Sequence, residues 1–233
     1  MENDKCIVLL SGGIDSATAL WWAKERFSEV WALTFLYGQR HSVELEYAKK
    51  LADLAGVKEH LIVELDVLKR VGGSALTDDR VPVPEGPYPP EGTIATYVPM
   101  RNSIFGVVAG AYMEVYGITD LVIGIHASDV PNYPDTRPEW ASSLEALLNA
   151  GSSLSFDRKL RVRVHTPLLG LKKPDIIRMG LKMGVPYEWT WSCYSPVNGE
   201  PCGKCPTCLQ RAEAFAEVGV PDPLLVRLRE KRR

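Results

Sequence analysis

The chain has 233 residues, 45% hydrophobic and 24% charged, with a formal net charge of −2. That length suits one α/β domain with a modest extension, and near-neutrality gives no broad electrostatic grip on a long polyanion, so extended nucleic-acid binding is not favoured. No stretch reaches the ~18 apolar residues of a membrane span, and the short apolar run near the start follows a mixed-charge opening that is neither signal peptide nor anchor.

In chain order, Cys6–Leu10 is a continuous apolar run of strand length, followed at once by SGG and a helical stretch from about Ser16 to Arg26. Val30–Tyr37 predicts a second buried strand. From Ser42 to Ala55, Leu45, Ala48, Leu51, Ala52 and Ala55 recur at helical spacing, and Gly56 is placed to end the helix. His60–Leu65 reads as a third strand. The segment Gly72–Pro99, with its PVPEGPYPPEG core, can hold no long helix and is expected to be a surface or lid loop. Arg101–Tyr116 predicts a helix with Ile104, Val107, Val108, Ala111 and Val115 inward. Leu121–Ile125 is a fourth strand, Pro138 suits the first turn of a helix to about Asn149, Val162–His165 is a further strand, and Pro174–Met183 a short helix stopped by Gly184. The basic tail Arg227–Arg233 reads as a solvated helix end.

Strands without polar alternation, separated by helices, predict a doubly wound α/β fold with a mainly parallel sheet. Residues 1–185 would form that domain, and 186–233 a small helical module rich in cysteine. Ligands sit beyond the carboxyl ends of such strands. The Ser11 loop, Tyr37–His41 and His126–Asp135 each follow a strand, so they are expected around one crevice.

Ser11-Gly12-Gly13-Ile14-Asp15-Ser16 joins the first strand to a helix. Glycines let backbone N–H groups approach an anion, and the helix N-terminus adds its positive end. The hydroxyls of Ser11 and Ser16 can donate to phosphate, while Asp15 would hold Mg²⁺ or cap the helix. No GK[ST] follows the glycines. A plain Gly-rich turn with capping Ser and Asp is the alternative. The hexapeptide resembles the SGGxDS signature of the ATP pyrophosphatase (PP-loop) family, which implies a loop that holds departing pyrophosphate, with Leu10 through Ser16 on the nucleotide.

Cys193, Cys202, Cys205 and Cys208 are spaced C-x8-C-x2-C-x2-C. Two overlapping CxxC pairs and a fourth thiol can close a tetrahedral Zn²⁺ site, with Gly203 and Pro206 supplying turns. Four thiolates would fill the shell, so one structural zinc per chain is expected, and with no signal segment the cysteines indicate a reducing cytoplasm. A redox CxxC and an iron–sulfur cluster are the rivals. Cys6 lies in a strand and is a packed hydrophobe.

Further segments follow: LYGQRH (Leu36–His41), YVPMRN (Tyr97–Asn102), NYPDTRPEW (Asn132–Trp140), TPLLGLKKPDII (Thr166–Ile177), TWSCY (Thr190–Tyr194) and PCGKCPTC (Pro201–Cys208). In this order the chain resembles the 7-cyano-7-deazaguanine synthases of queuosine and archaeosine biosynthesis over nearly its full length. It departs at Met100, where that family often has Gly, and at Thr136, where it often has Cys. The resemblance implies that 7-carboxy-7-deazaguanine and ammonia become the nitrile through an acyl adenylate and an amide, with MgATP giving AMP and pyrophosphate. Arg101 and Lys173 would then be cations on the phosphates, and Asp15 would belong to the loop's chemistry. Tyr133 would stack on the base, Asp135 would accept from its N–H edge, Asn102 would join them, and Gln39 and His41 would position ATP or Mg²⁺. His126 could move a proton or simply pack. Another PP-loop enzyme, an amide-forming ligase or a tRNA-modifying enzyme, is the alternative, although the surface is not broadly basic and no free cysteine pair is left over. The charge and exposed helices permit a homodimer.

Overall fold

A computed structural model describes residues 4–38 and 43–231. Five strands form one sheet in the order β3-β2-β1-β4-β5, every neighbouring pair parallel. They are β1 Lys5–Leu9, β2 Glu29–Leu36, β3 Glu59–Glu64, β4 Asp120–Val122 and β5 Arg163–His165. The described helices are α1 Ile14–Lys24, α2 Val43–Ala55, α3 Asp66–Val71, α4 Arg101–Tyr116, α5 Pro138–Gly151, α6 Ser153–Phe156, α7 Lys173–Lys182, α8 Pro206–Val218 and α9 Pro223–Glu230. The order reverses between β1 and β4, which makes the carboxyl end of β1 the switch point where doubly wound sheets bind ligands.

Two apolar layers cover the sheet, as a wholly parallel sheet requires. One packs Cys6 and Val8 of β1 against α1, α2, α7 and, through Ala214 and Phe215, α8. The other packs Ile7 and Leu33 against Met113 of α4, Leu144 and Leu148 of α5, and Leu154. Alternate residues of one strand thus point to opposite layers. Residues 72–100 contain no helix or strand, as their Gly and Pro content predicts.

The span of α4 matches the expectation, and Ile104 and Val108 pack against the core as expected, but the rest of its buried face differs. Val107 is 47% and Val115 76% exposed, while Gly106, Ala109, Gly110 and Met113 are buried. Close packing of backbone decides the facing. A Cβ on Gly106 would lie 2.6 Å from Leu144 Cδ2, and one on Gly110 2.4 Å from Leu148 Cδ2. Two leucines of α5 therefore seat directly on the α4 backbone, and dispersion contacts to that small-residue stripe outweigh the burial available to its valines.

In the basic tail, which ends a helix with Arg229, Glu230 and Lys231 exposed as expected, Arg227 differs. Arg227 lies in α9, donating from Nε to Glu188 O at 2.8 Å and from a terminal nitrogen to Tyr47 Oη at 2.7 Å. Its guanidinium sits 4.0 Å from the Trp189 ring centroid. A planar cation that stacks on aromatics is a packing residue here. No described helix is long and apolar enough to cross a membrane.

Candidate functional site

The turn after β1 is shaped by one left-handed residue. Gly12 has φ +86°, and a Cβ there would lie 2.6 Å from Glu44 O and 3.0 Å from Ala48 N, so only glycine fits against α2. The two serines then tie the loop. Ser11 N–H donates to Ser16 Oγ at 3.1 Å, the two hydroxyls lie 3.0 Å apart, and Ser16 Oγ donates to Gly13 O at 3.2 Å. This pre-forms a concave backbone whose next residues open α1, where the first N–H groups have no partner within the helix. Leu10 is buried, with its carbonyl accepting from Thr34 Oγ1 at 2.6 Å.

Beside the loop, α7 delivers Lys173. It is 8% exposed, and its Nζ donates to both Asp15 oxygens at 2.8 and 2.7 Å. His126, fully buried after β4, places Nε2 2.8 Å from that Nζ, 3.4 Å from Asp15 Oδ2 and 3.2 Å from Asp129 Oδ2. Ser128 N–H donates to Nδ1 at 3.2 Å, leaving Nε2 to face the charges. Burial alone would raise the Asp15 carboxyl, but Lys173 and His126 outweigh it and hold it well below the usual range. Asp129 goes the other way, raised chiefly by burial and further by Asp15. One carboxylate is thereby fixed as an anion, and its neighbour is biased toward carrying a proton.

These groups open into a cavity of about 240 Å³. Its wall continues through Tyr37, Glu44, Tyr88, Arg101, Tyr133 and Tyr194. Arg101 lies over the Tyr37 ring at 5.9 Å and donates toward its hydroxyl at 3.4 Å. Burial works against the Arg101 cation, but Tyr37, Tyr194, Tyr133 and Asp135 more than offset it and keep it charged. Glu44 is the reverse case: burial raises its carboxyl to about 7, with Arg101 pulling it down only in part.

Of the residues singled out from the sequence, Ser11, Gly13, Ile14, Asp15, Ser16, Leu10, Arg101, Asn102, Tyr133 and Lys173 line this one cavity. Gln39 and His41 lie outside the described residues. Asp135 does not line the cavity. It is 4% exposed, and its Oδ2 accepts the Asn102 backbone N–H at 2.8 Å while its carbonyl accepts from Asn102 Nδ2 at 3.0 Å. It therefore anchors the start of α4, where a carboxylate meets otherwise unpaired N–H groups and the positive helix end. Met100, just before that helix, has φ +57° and is 58% exposed, so the glycine expected there answers a backbone demand rather than a ligand. Thr136 is buried on the cavity wall, donating to Tyr133 O at 2.7 Å. Sequence reasoning missed Glu44, Tyr88 and Asp129. The first sits in an ordinary amphipathic helix and the second in a loop without periodicity; only the run His126–Asp135 after a strand hinted at Asp129.

The four cysteines converge as their spacing predicts. All four Sγ atoms lie within 4.8 Å of one another. Tetrahedral Zn²⁺ with bonds of about 2.3 Å requires sulfurs about 3.8 Å apart. Cys193 Sγ also accepts N–H groups from Ser195 at 3.3 Å and Cys202 at 3.2 Å. Hydrogen bonds from Cys193 and Cys208 favour a thiolate at Cys205, while its neighbours are pushed up, Cys193 to about 12. Sulfurs this close cannot all ionise without a cation among them, so the set fits a metal, and four thiolates fit zinc. The module touches the phosphate loop directly: Trp191 N–H donates to Gly12 O at 2.8 Å.

Comparison with known proteins agrees with this geometry. The family described as queuosine biosynthesis protein QueC matches residues 5–219. A 7-cyano-7-deazaguanine synthase of Persephonella marina is 50% identical over 222 residues, covering 95% of this chain and 96% of its own. One from Sulfurihydrogenibium sp. is 50% identical over 217 residues, covering 93% and 96%. Among solved structures, NMN synthetase from Francisella tularensis has a TM-score of 0.51 at 17% identity, covering 94% of this chain and 74% of that one, a likeness of fold.

Proposed function

The chain belongs to the QueC family of queuosine biosynthesis proteins, and from that premise we propose that it is an ATP-using ligase that turns 7-carboxy-7-deazaguanine and ammonia into 7-cyano-7-deazaguanine. The observation that carries the reading is a phosphate-shaped loop, with Asp15 and Lys173 paired beside it, opening into a cavity walled by tyrosines and Arg101.

The substrate carboxylate attacks the α-phosphorus of ATP, the bond from that phosphorus to the bridging oxygen breaks, and pyrophosphate leaves. The Ser11 and Ser16 hydroxyls and the α1 N–H groups receive the charge that grows on it, preorganised by their own hydrogen bonds. Mg²⁺ carried by ATP would neutralise phosphate charge, and Asp15 is the carboxylate placed to face it. Arg101 and Lys173 supply fixed cations in a partly desolvated site, where they act more strongly than in water. Ammonia then displaces AMP and yields the amide. A second ATP is attacked by the amide oxygen; loss of AMP and of the nitrogen-bound protons leaves the nitrile. His126 Nε2, 3.2 Å from Asp129, is the ring nitrogen placed to pass on one of those protons, the other going to water. ATP activation makes an enzyme nucleophile unnecessary, and the clustered thiols would hold zinc, which would stiffen the fold. The thiol cluster and the formal net charge of −2 support a cytoplasmic enzyme acting on a small molecule.

The test is turnover of the acid with ammonium and MgATP. Two AMP per nitrile are expected. Release of ADP and phosphate would overturn the adenylation chemistry. Asp15→Ala should abolish AMP formation without unfolding the protein, and unchanged turnover would remove the loop from the site.

A further inference from the structure

Tyr88 lies in the helix- and strand-free segment between α3 and α4, yet its side chain reaches the cavity wall. Its ring meets Tyr133 edge-on, centroids 6.4 Å apart at 76°, and Tyr194 lines the same cavity beside them. Tyr133 also shares a hydrogen bond with Thr96, 3.1 Å away at the far end of the same segment. Three phenols and the Arg101 guanidinium therefore share one cavity wall.

The segment is pinned on both sides of Tyr88. Upstream, Gly86 N–H donates to Lys204 O at 2.9 Å, Glu85 pairs with Lys204, and Val83 packs on the cluster of Trp191, Cys193, Cys205 and Cys208. Downstream, Asn132 Nδ2 donates to Pro89 O at 3.1 Å and Gly92 O at 2.9 Å, and Gly92 N–H donates to Pro131 O at 3.1 Å. Asn132 is 3% exposed, so both hydrogens of its amide are engaged on this loop. Pro87 and Pro89 flank Tyr88. Each proline fixes its own φ, and the second restricts Tyr88 to extended backbone. The ring is thus held in place before any ligand arrives, so little ordering entropy opposes its use.

We infer that Tyr88 contacts the planar ring of the substrate and sets selectivity for it, and that Asn132 is the positioning residue that holds Tyr88 in the wall. A flat heterocycle with polar edges is the ligand this group fits: rings stack on its faces and phenols meet its rim. The inference rests on the proposed synthase reading, and the experiment separates the two. Affinity for 7-carboxy-7-deazaguanine is measured by calorimetry without ATP, together with kcat and the KM of each substrate, for Tyr88→Ala, Tyr88→Phe, Asn132→Ala and the double variant Tyr88→Ala with Asn132→Ala.

Tyr88→Ala is expected to weaken binding of the acid by on the order of tenfold or more, with the KM for ATP unchanged and Tyr88→Phe intermediate. Asn132→Ala should weaken binding of the acid by a smaller factor, and the double variant should match Tyr88→Ala alone, because two residues acting through one contact do not add. Should Asn132→Ala fold poorly, Asn132→Ser keeps a shorter donor at that place and is read in the same cycle. Acid affinity in Tyr88→Ala equal to that of the unaltered enzyme overturns the inference while leaving the synthase reading intact. Multiplying effects in the double variant overturn the role of Asn132. An unaltered enzyme that neither binds the acid nor releases AMP with it overturns both.

Discussion

Gly124, two residues past β4, presses its backbone on the phosphate loop. A Cβ there would lie 2.9 Å from both Asp15 C and Asp15 O and 3.1 Å from Ser16 N. Comfortable carbon contacts are about 3.5–4.0 Å, so Gly124→Ala must push either β4 or the start of α1 aside by about 0.5–1 Å. Its φ is not in the left-handed region, so backbone strain adds nothing and the effect is purely steric. Overpacking of this kind costs about 1–3 kcal/mol, a fall in melting temperature of about 2–12 °C for a chain of this size. The larger consequence is chemical. Asp15 carries the ion pair with Lys173 and Ser16 ties the loop, and displacing aligned groups by about 1 Å can lower turnover about a hundredfold. Melting curves and substrate-dependent AMP release measure both, with Gly151→Ala, where nothing lies within 4 Å of the new methyl, as control. A Gly124→Ala enzyme that melts and turns over like the parent would refute the claim that the loop is positioned by backbone contact.

Three other outcomes follow from the site. Lys173→Met leaves Asp15 facing only His126; AMP release should be lost, and stability should fall by about 3 kcal/mol as for other broken buried pairs, so a variant with parental turnover would contradict the ion pair's role. Elemental analysis should find close to one zinc per chain, and Cys202→Ser should lower both zinc content and melting temperature, given that structural zinc contributes on the order of 10 kcal/mol in small domains; less than about a tenth of a zinc per chain would exclude the metal. Glu44, whose carboxyl is raised by burial from 4.5 to about 7, binds its proton more tightly when folded, so the parent should lose stability as pH rises from about 4.5 to 7, relative to Glu44→Gln. The gap between the two should level off above that window, at most about 3 kcal/mol and nearer 1–2 because the group opens onto the cavity; parallel pH–melting curves would show that Glu44 is not desolvated.

How much of this was legible beforehand depends on how local the cause is. The β1–loop–α1 unit was, because the apolar run, the glycines and the helix onset are contiguous. The thiol cluster was, because its spacing alone brings sulfurs together. The facing of α4 was not: a periodicity reading rewards valines, whereas the deciding contacts belong to Gly106 and Gly110 beneath Leu144 and Leu148, some forty positions away. Asp135 was expected on a base edge, whereas its Oδ2 meets the N–H of Asn102, because a carboxylate suited to a base edge is equally suited to the N–H groups of a helix start. Tyr88 was hidden in a segment whose composition announces only a loop, and its placement comes from Asn132, Lys204 and Tyr133, none of them near it in sequence.

The same distinction explains why the loop after β1 and the cysteine module are one structure. Arg211 of α8 is buried and pairs through both Nε and a terminal nitrogen with Asp222, at 2.7 and 2.8 Å. Its remaining donors reach Thr190 Oγ1 at 2.9 Å, Thr190 O at 3.3 Å and Tyr187 O at 3.2 Å. A planar fork is suited to holding a backbone in this way. The strand of chain it holds, Thr190 to Cys193, is the one that donates Trp191 N–H to Gly12 O and provides the first metal-binding sulfur. Asp222 at the same time caps α9 through Leu224 N–H. Gly12 needs a fixed carbonyl partner because its left-handed backbone has no side chain to lock it. The stiffness of the loop at Gly12 thus comes from residues nearly two hundred positions downstream, and a metal held by the thiols would reach it only through backbone.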